Sequence, residues 1–439
     1  MPSDGWTEMP FNHAVQVNPP VTLAKGTVYP FVEMAAVDSA SRSVCESEHR
    51  AFKNGGAKFM PGDTLMARIT PCLENGKIAR FRPSDTTSPG FGSTEFIVVR
   101  GRNGVTDSDF AYYLTKWPDF RQYAISQMTG SSGRQRVPAE SLAHFEVPVP
   151  PLDVQRRIAC ILGSLDDKIE LNRRMNRTLE RMAQALFKSW FIDFDPVRAK
   201  ADPHNGDPTA GGLPDHLAAL FPDRLTDSDL GPIPEGWEVK ALTDAIAINP
   251  KRTLPKGTRA PFLEMSNMPT RGPSPDSWRL REMTSGMKFI NGDTLVARIT
   301  PCLENGKTAF VDFLRAGQVG WGSTEYIVLR PKEGIPPVLA YLLARTPRFR
   351  TFAIRQMTGS SGRQRVPPLS LSKFQMVLPE DDSPVYRAFG DEVQPFFDRI
   401  TLAVRQSRRL AQLRDTLLPK LLSGELDLPA AEGVVEEVA

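Results

Sequence analysis

Several things are missing from this chain, and each absence narrows what it can be. No stretch approaches the roughly eighteen uninterrupted apolar residues that a bilayer-spanning helix needs. The opening MPSDGWTEMPF has neither a basic nor a long apolar segment, which argues against a secretory signal. Cys45, Cys72, Cys160 and Cys302 are too few and too scattered for a disulfide framework or a zinc site. Cytoplasmic residence is therefore the expectation. Charge is nearly balanced, with a net +3 and a pI near 8.6, which permits nucleic acid as a partner without demonstrating it. No Walker A pattern, no GxGxxG after a strand and no NPPY or DPPY tetrapeptide occurs. VNPP at Val17–Pro20 lacks the aromatic residue and becomes INPK in the second half of the chain, so it reads as a turn.

What the chain does have is itself, twice. GDTLMARITPCLENGK (Gly62–Lys77) returns as GDTLVARITPCLENGK (Gly292–Lys307). GW at Gly5–Trp6, NP at Asn18–Pro19 and FVEM at Phe31–Met34 return as Gly236–Trp237, Asn249–Pro250 and FLEM at Phe262–Met265. GFGSTEFIVVR (Gly90–Arg100) answers GWGSTEYIVLR (Gly320–Arg330), and QMTGSSGRQRVP is identical at Gln127–Pro138 and Gln356–Pro367. The copies stay 229 to 231 residues apart throughout, so one unit has been duplicated.

Each unit reads as mixed strand and helix, an α/β (α+β) domain. EFIVVR, EYIVLR and GDTLMARI are strand-like, as are FEVPVP and FQMVLP further on. Asp109–Ile125 and Pro337–Ile354 have helical spacing interrupted by proline. The segment after each unit is different in kind. From Ile158 the series Ile158, Leu162, Leu165, Ile169, Asn172, Asn176, Leu179, Ala183, Leu186 alternates steps of four and three, a coiled-coil period. A helix over Leu152–Trp190 would span about 60 Å. Val393, Phe397, Ile400, Val404, Ser407, Leu410, Leu413 and Leu417 form a second, less regular seam. Pro395 is expected to bend its start and Pro419 to disturb its end. Asn172 and Asn176 are candidates for fixing register.

The expected organisation is a first globular unit over 1–150, a long helix over 151–194, a linker over 195–233, a second unit over 234–380, and a second helix with its C-terminal repeat over 384–426. Neither helix has enough apolar coverage to stand alone. Antiparallel pairing of the two is favoured, which would relate the units by an approximate two-fold axis.

A catalytic reading of the repeats is weak. A thiol nucleophile at Cys72 or Cys302 needs a base, and no histidine is matched between the copies. Glu74 with Glu95, and Glu304 with Glu325, remain as carboxylate pairs, although a structural hydrogen bond explains Glu95 and Glu325 as well. The other repeated chemistry suits a polyanion. TGSSGRQR offers hydroxyls, flexible glycines and the trio Arg134, Gln135, Arg136, repeated as Arg363, Gln364, Arg365. Arg68, Asn75 and Lys77, with Arg298, Asn305 and Lys307, add donors. The competing reading is a surface loop whose arginines cap carbonyls or form salt bridges. From these residues alone, the expectation is a two-headed binder of duplex nucleic acid.

The run GSSGRQRVP, then FEVPVPPLDVQRRIACILGSLDDKIELNRRMNRTLERMAQALFKSWFIDF (Phe145–Phe194) and later LRDTLLPKLLSGEL (Leu413–Leu426), resembles the specificity subunits of type I restriction–modification systems. The resemblance spans essentially the whole chain, in the order recognition domain, helix, recognition domain, helix. It implies that each unit is a target recognition domain reading one half of a split sequence in double-stranded DNA, with the paired helices setting the unread spacer. It also implies a chain without catalysis or a cofactor of its own. The expected partners are two methyltransferase subunits using S-adenosylmethionine, and motor–nuclease (restriction) subunits using ATP and Mg. Phe187, Trp190 and Phe191 then become expected partner contacts, with an intrachain core as the other reading. The extensive identity between the halves leaves two expectations. Either the half-sites overlap in sequence, or specificity lies in unlike segments such as Val37–Lys58 and Thr270–Lys288. The alternatives outside this family are an enzyme acting on nucleic acid by itself, with Glu74 and Glu95 as carboxylates, and a protein-binding adaptor.

Overall fold

A computed structural model describes residues 5–131, 133–201, 213–275 and 277–437. The portion of the expected linker over 202–212 lies outside the described residues. The chain divides into two compact units, one made of Met1–Asn172 with Gln406–Ala439, the other of Arg173–Arg405. The division runs through both long helices, so each unit holds a part of each.

In the first unit an inner sheet has the strand order Val15–Val17, Phe96–Gly101, Thr64–Ala67, Ile78–Phe81, Ser43–Val44. Its central strands are buried on both faces, and the alternation of side chains sorts them into two cores. Met66, Ile78, Ile97 and Val99 face the helices Ser108–Lys116 and Pro118–Ser126. Leu65, Ala79, Phe96 and Val98 face the other way, towards Phe59 and Val32. Asp107 caps the first of these helices by accepting from the N–H groups of Asp109 and Phe110, and Pro118 opens the second where a missing N–H costs nothing.

An outer four-stranded sheet has the order Glu48–Ala51, Val28–Val32, Gly90–Gly92, Ala57–Phe59. Glycine is required at its centre, because a Cβ on Gly92 would stand 2.5 Å from the carbonyl oxygen of Val32.

The second unit repeats this plan with one change. Its inner sheet has four strands, Ile246–Ile248, Tyr326–Pro331, Thr294–Ala297 and Thr308–Phe310. Where the first unit adds Ser43–Val44, Thr308 and Phe310 donate instead to the carbonyls of Pro269 and Pro273, at 3.1 and 2.8 Å. Proline offers an acceptor but no donor, so no reciprocal ladder forms. The outer sheet keeps the order Arg279–Glu282, Arg259–Leu263, Gly320–Gly322, Met287–Phe289.

The long helices are Leu152–Lys188 and Pro384–Leu422. In the first unit Ile158, Leu162, Leu165 and Ile169 share a core with Leu410, Leu417 and Leu421. In the second, Ala183 and Phe187 share one with Phe389, Val393 and Phe397. The early part of one helix thus packs with the late part of the other inside each unit, which makes the pairing antiparallel. Asn172, 3 % exposed, donates to Gln406 Oε1 at 2.9 Å and Ser407 Oγ at 3.2 Å, whereas Asn176 Oδ1 is buried without a hydrogen-bond partner among the described residues.

The helix ends differ in detail from the sequence pattern. The second long helix runs unbroken through Pro395 and Pro419. Burial of Val393, Phe397, Ile400, Leu417 and Leu421 holds it together despite the lost N–H groups. The first helix does not stay α-helical to Trp190. It loosens into a π-helical turn over Ser189–Asp193 that closes on Phe194 in the left-handed region.

Candidate nucleic-acid interface

The repeated TGSSGRQR segment folds as a short tongue. Thr129 and Arg136 exchange both backbone hydrogen bonds, at 3.0 and 2.8 Å, and Gly130 and Gly133 carry the chain round the tip with φ of 121° and 81°. Those angles favour glycine, which has no Cβ to clash. The root of the tongue is sewn to the other repeated segment: Thr70 N–H donates to Gln135 O (3.0 Å) and Val137 N–H to Arg68 O (2.8 Å). In the second unit Thr358 pairs with Arg365, Thr300 with Gln364, and Val366 with Arg298 in the same way. The two longest identities in the sequence therefore meet, in each unit, to make one element.

The arginines on this tongue have separate tasks. Arg136 donates to both carboxylate oxygens of Glu95, from Nε at 2.9 Å and from Nη2 at 2.7 Å. Arg365 Nε donates to Glu325 at 2.8 Å. The preceding GST turn presents each glutamate: Glu95 N–H donates to Ser93 Oγ and Glu325 N–H to Ser323 Oγ. Glu95 and Glu325 are thus structural acceptors for arginine. Glu74 and Glu304 lie exposed in the turns after Pro71 and Pro301.

Arg134 and Arg363, at the tips, are exposed, and their guanidinium groups have no hydrogen-bond or ion-pair partner among the described residues. Gln135 and Gln364 are half-buried beside them.

The remaining candidates divide similarly. Lys77 Nζ donates to Met34 O at 2.9 Å and Lys307 Nζ to Met265 O at 2.6 Å, so each ammonium ties the repeated turn to the loop after the FVEM or FLEM strand. Asn75 and Asn305 are exposed. Arg68 is half-buried with its Nε unpaired, and it lines a groove of about 480 Å³ shared with Lys58 and Thr94. Arg298 is half-buried with its Nε 3.9 Å from Glu325.

Asn18 and Asn249, read from the sequence only as turn residues, sit at φ of 48° and 53°. Each exchanges hydrogen bonds with the neighbouring strand at Val98 or Val328. Their NP motif is a splice between strands.

The expectation of an exposed partner face at Phe187, Trp190 and Phe191 is corrected. All three are at most 5 % exposed, and their rings pack on Phe389, with Trp190 also on Phe221 and Phe191 on Trp237. The chain folds back after the π-helical turn and covers them, which the helical spacing alone did not reveal.

Comparison with known proteins gives a consistent picture. Residues 21–181 match the family described as the type I restriction modification DNA specificity domain. The chain is 26% identical over 432 residues to the type I restriction enzyme HindI specificity subunit of Haemophilus influenzae, covering 87% of this chain and 91% of that one. It is 25% identical over 407 residues to the MjaIX specificity subunit of Methanocaldococcus jannaschii, covering 90% and 84%. Its fold is like that of the type I restriction–modification S subunit from M. genitalium, with a TM-score of 0.52 at 13% identity over 96% of this chain and 98% of that one. Two matching units, a tongue built from the same residues in both, two antiparallel long helices and these likenesses point one way: over most of its length the chain is similar to the specificity subunits of type I restriction–modification systems.

Proposed function

We propose that each unit of this non-catalytic DNA-binding subunit reads one half of a split duplex target, and that the tongues anchor the units on the DNA backbone. The observation that carries this reading is the matched pair Arg134 and Arg363. Each is an exposed, unpartnered cation at the tip of a tongue whose neighbouring arginine is locked to a glutamate. Backbone phosphates are the same at every sequence, so identical tongues suit them, and small flexible residues let the chain approach closely. The long helices would set the unread spacer and dock two methyltransferase subunits. S-adenosylmethionine, ATP and Mg would be used by the methyltransferase and restriction subunits. No helix among the described residues is long and apolar enough to cross a membrane; the proposed place of action is the cytoplasm.

The test is DNA binding by the assembled methyltransferase complex as salt is raised. Arg134→Ala with Arg136→Ala should weaken contact to one half-site, and Arg363→Ala with Arg365→Ala contact to the other, each with a shallower salt dependence. Double variants that assemble poorly but bind normally once assembled would make the tongues purely structural.

A further inference from the structure

The duplicated architecture is an internal control: whatever the two units share serves both, and whatever differs at matching positions distinguishes them. The outer sheets allow that comparison residue by residue. In the first unit Phe31 stands opposite Glu48 and Val28 opposite Ala51; in the second Phe262 stands opposite Arg279 and Arg259 opposite Glu282. Since Phe31 and Phe262 are equivalent by sequence, the edge strands align as Glu48 with Arg279, His49 with Leu280, Arg50 with Arg281, and Ala51 with Glu282. Three of four positions differ, one by reversal of charge. The strand at the opposite edge keeps its basic and aromatic pair, Lys58–Phe59 matching Lys288–Phe289.

These edge strands are also open to contact. Each is paired on one side only within its sheet. Glu48, His49 and Arg50 are exposed, as are all four residues of the second strand, and Leu280 is left 56 % exposed.

The shared arginine is held ready. Arg50 lies over the ring of Phe31 at 3.9 Å, and Arg281 over Phe262 at 4.9 Å. An aromatic bed under a guanidinium restrains it while leaving its donors outward. In the free chain the edge charges pair with their neighbours, Arg50 with Glu48 and Arg279 with Glu264. Pairs between exposed side chains are worth little and exchange readily for another partner.

We infer that these two edge strands are the base-reading elements of the two units, that each presents the open rim of its outer sheet to the DNA major groove, and that the two half-sites consequently differ. This rests on the reading of the chain as a specificity subunit. In the major groove each base pair exposes its own pattern of donors, acceptors and methyl groups. There, a glutamate accepts from the cytosine amino group, an arginine donates to guanine O6 and N7, and an apolar side chain packs on the thymine methyl. Glu48 against Arg279 and His49 against Leu280 therefore call for different bases, while Arg50 and Arg281 make a contact common to both halves.

The experiment maps adenine methylation in cells carrying the methyltransferase partner and either the natural chain or a variant with Glu48→Arg, His49→Leu and Ala51→Glu, which gives the first edge the residues of the second. The expected result is that one half of the split motif changes towards the other half, with the second half and the spacing kept. A motif unchanged in an assembled, active variant complex overturns the inference. Should that variant fail to assemble, the single Glu48→Arg and the reciprocal Arg279→Glu with Leu280→His decide it: a changed half-site supports the inference and an unchanged one overturns it. A natural chain that yields no split motif removes the specificity reading itself, an outcome separable from failure of the edge-strand assignment alone.

Discussion

The two units agree in the tongue and disagree at the outer edge strand. Agreement extends to hydrogen-bond partners: Arg136 with Glu95 answers Arg365 with Glu325, and Lys77 with Met34 answers Lys307 with Met265. Disagreement is sharpest where only exposed ion pairs hold the side chain, as at Glu48 with Arg50 and Arg279 with Glu264. On the proposed reading, identity between the copies marks positions whose job is the same at any DNA sequence. Divergence on an exposed, ordered edge marks positions free to specify one.

The units also differ beneath the surface, where each meets the long helices. In the first, Tyr113 donates to Asp166 at 2.8 Å, and Arg414 pairs with the same carboxylate at 2.6 Å. In the second, Tyr341 donates to Glu180 at 2.5 Å, with Arg345 more distant at 3.6 Å. Burial raises the hydroxyl pKa of both tyrosines well above the ordinary value, so each stays protonated and a donor.

The comparison can be broken most forcefully in the cores. Phe120 and Phe349 are matched and almost fully buried. Their replacement by alanine should cost about 3–5 kcal/mol each, and denaturant unfolding should find similar losses in the two units. Next come the buried tyrosines. Tyr113→Phe and Tyr341→Phe should each cost about 1–3 kcal/mol by removing a donor from a buried carboxylate. The loss should be larger for Tyr341→Phe, because Glu180 keeps only the longer contacts from Gln184 (3.2 Å) and Arg345 (3.6 Å), whereas Asp166 keeps Arg414 at 2.6 Å; equal losses would show that Gln184 and Arg345 together compensate as well as Arg414 does.

At the tongue tips, Arg134→Ala and Arg363→Ala should each lower the slope of log affinity against log salt by about one. Melting temperature should not move. Unequal slopes would mean that one tip reads bases. The smallest effect is expected from Lys77→Met and Lys307→Met, about 1 kcal/mol of stability from one lost hydrogen bond, with no change in salt slope.

Much of this was legible in the residues. The repeat offset announced two equivalent units, and the four-and-three spacing from Ile158 announced the long helix whose early part packs on Leu410 and Leu417. Arg134 and Arg136 were not separable by sequence, because the difference depends on Glu95, which the fold brings to one of them and not the other. Phe187, Trp190 and Phe191 could not be placed either, since what covers them is chain that returns after an unpredicted π-helical turn. The helix continues through Pro395 and Pro419 for a related reason: local propensity yields when enough apolar surface is buried around it.

The role proposed for this chain is to bring a split DNA sequence to a methyltransferase. It is tested most directly by mapping adenine methylation in cells that carry the partner methyltransferase, with and without the chain. The account predicts a split motif that appears only when the chain is present and whose two halves share some bases and differ at others. An assembled, active complex that shows no chain-dependent motif would contradict it.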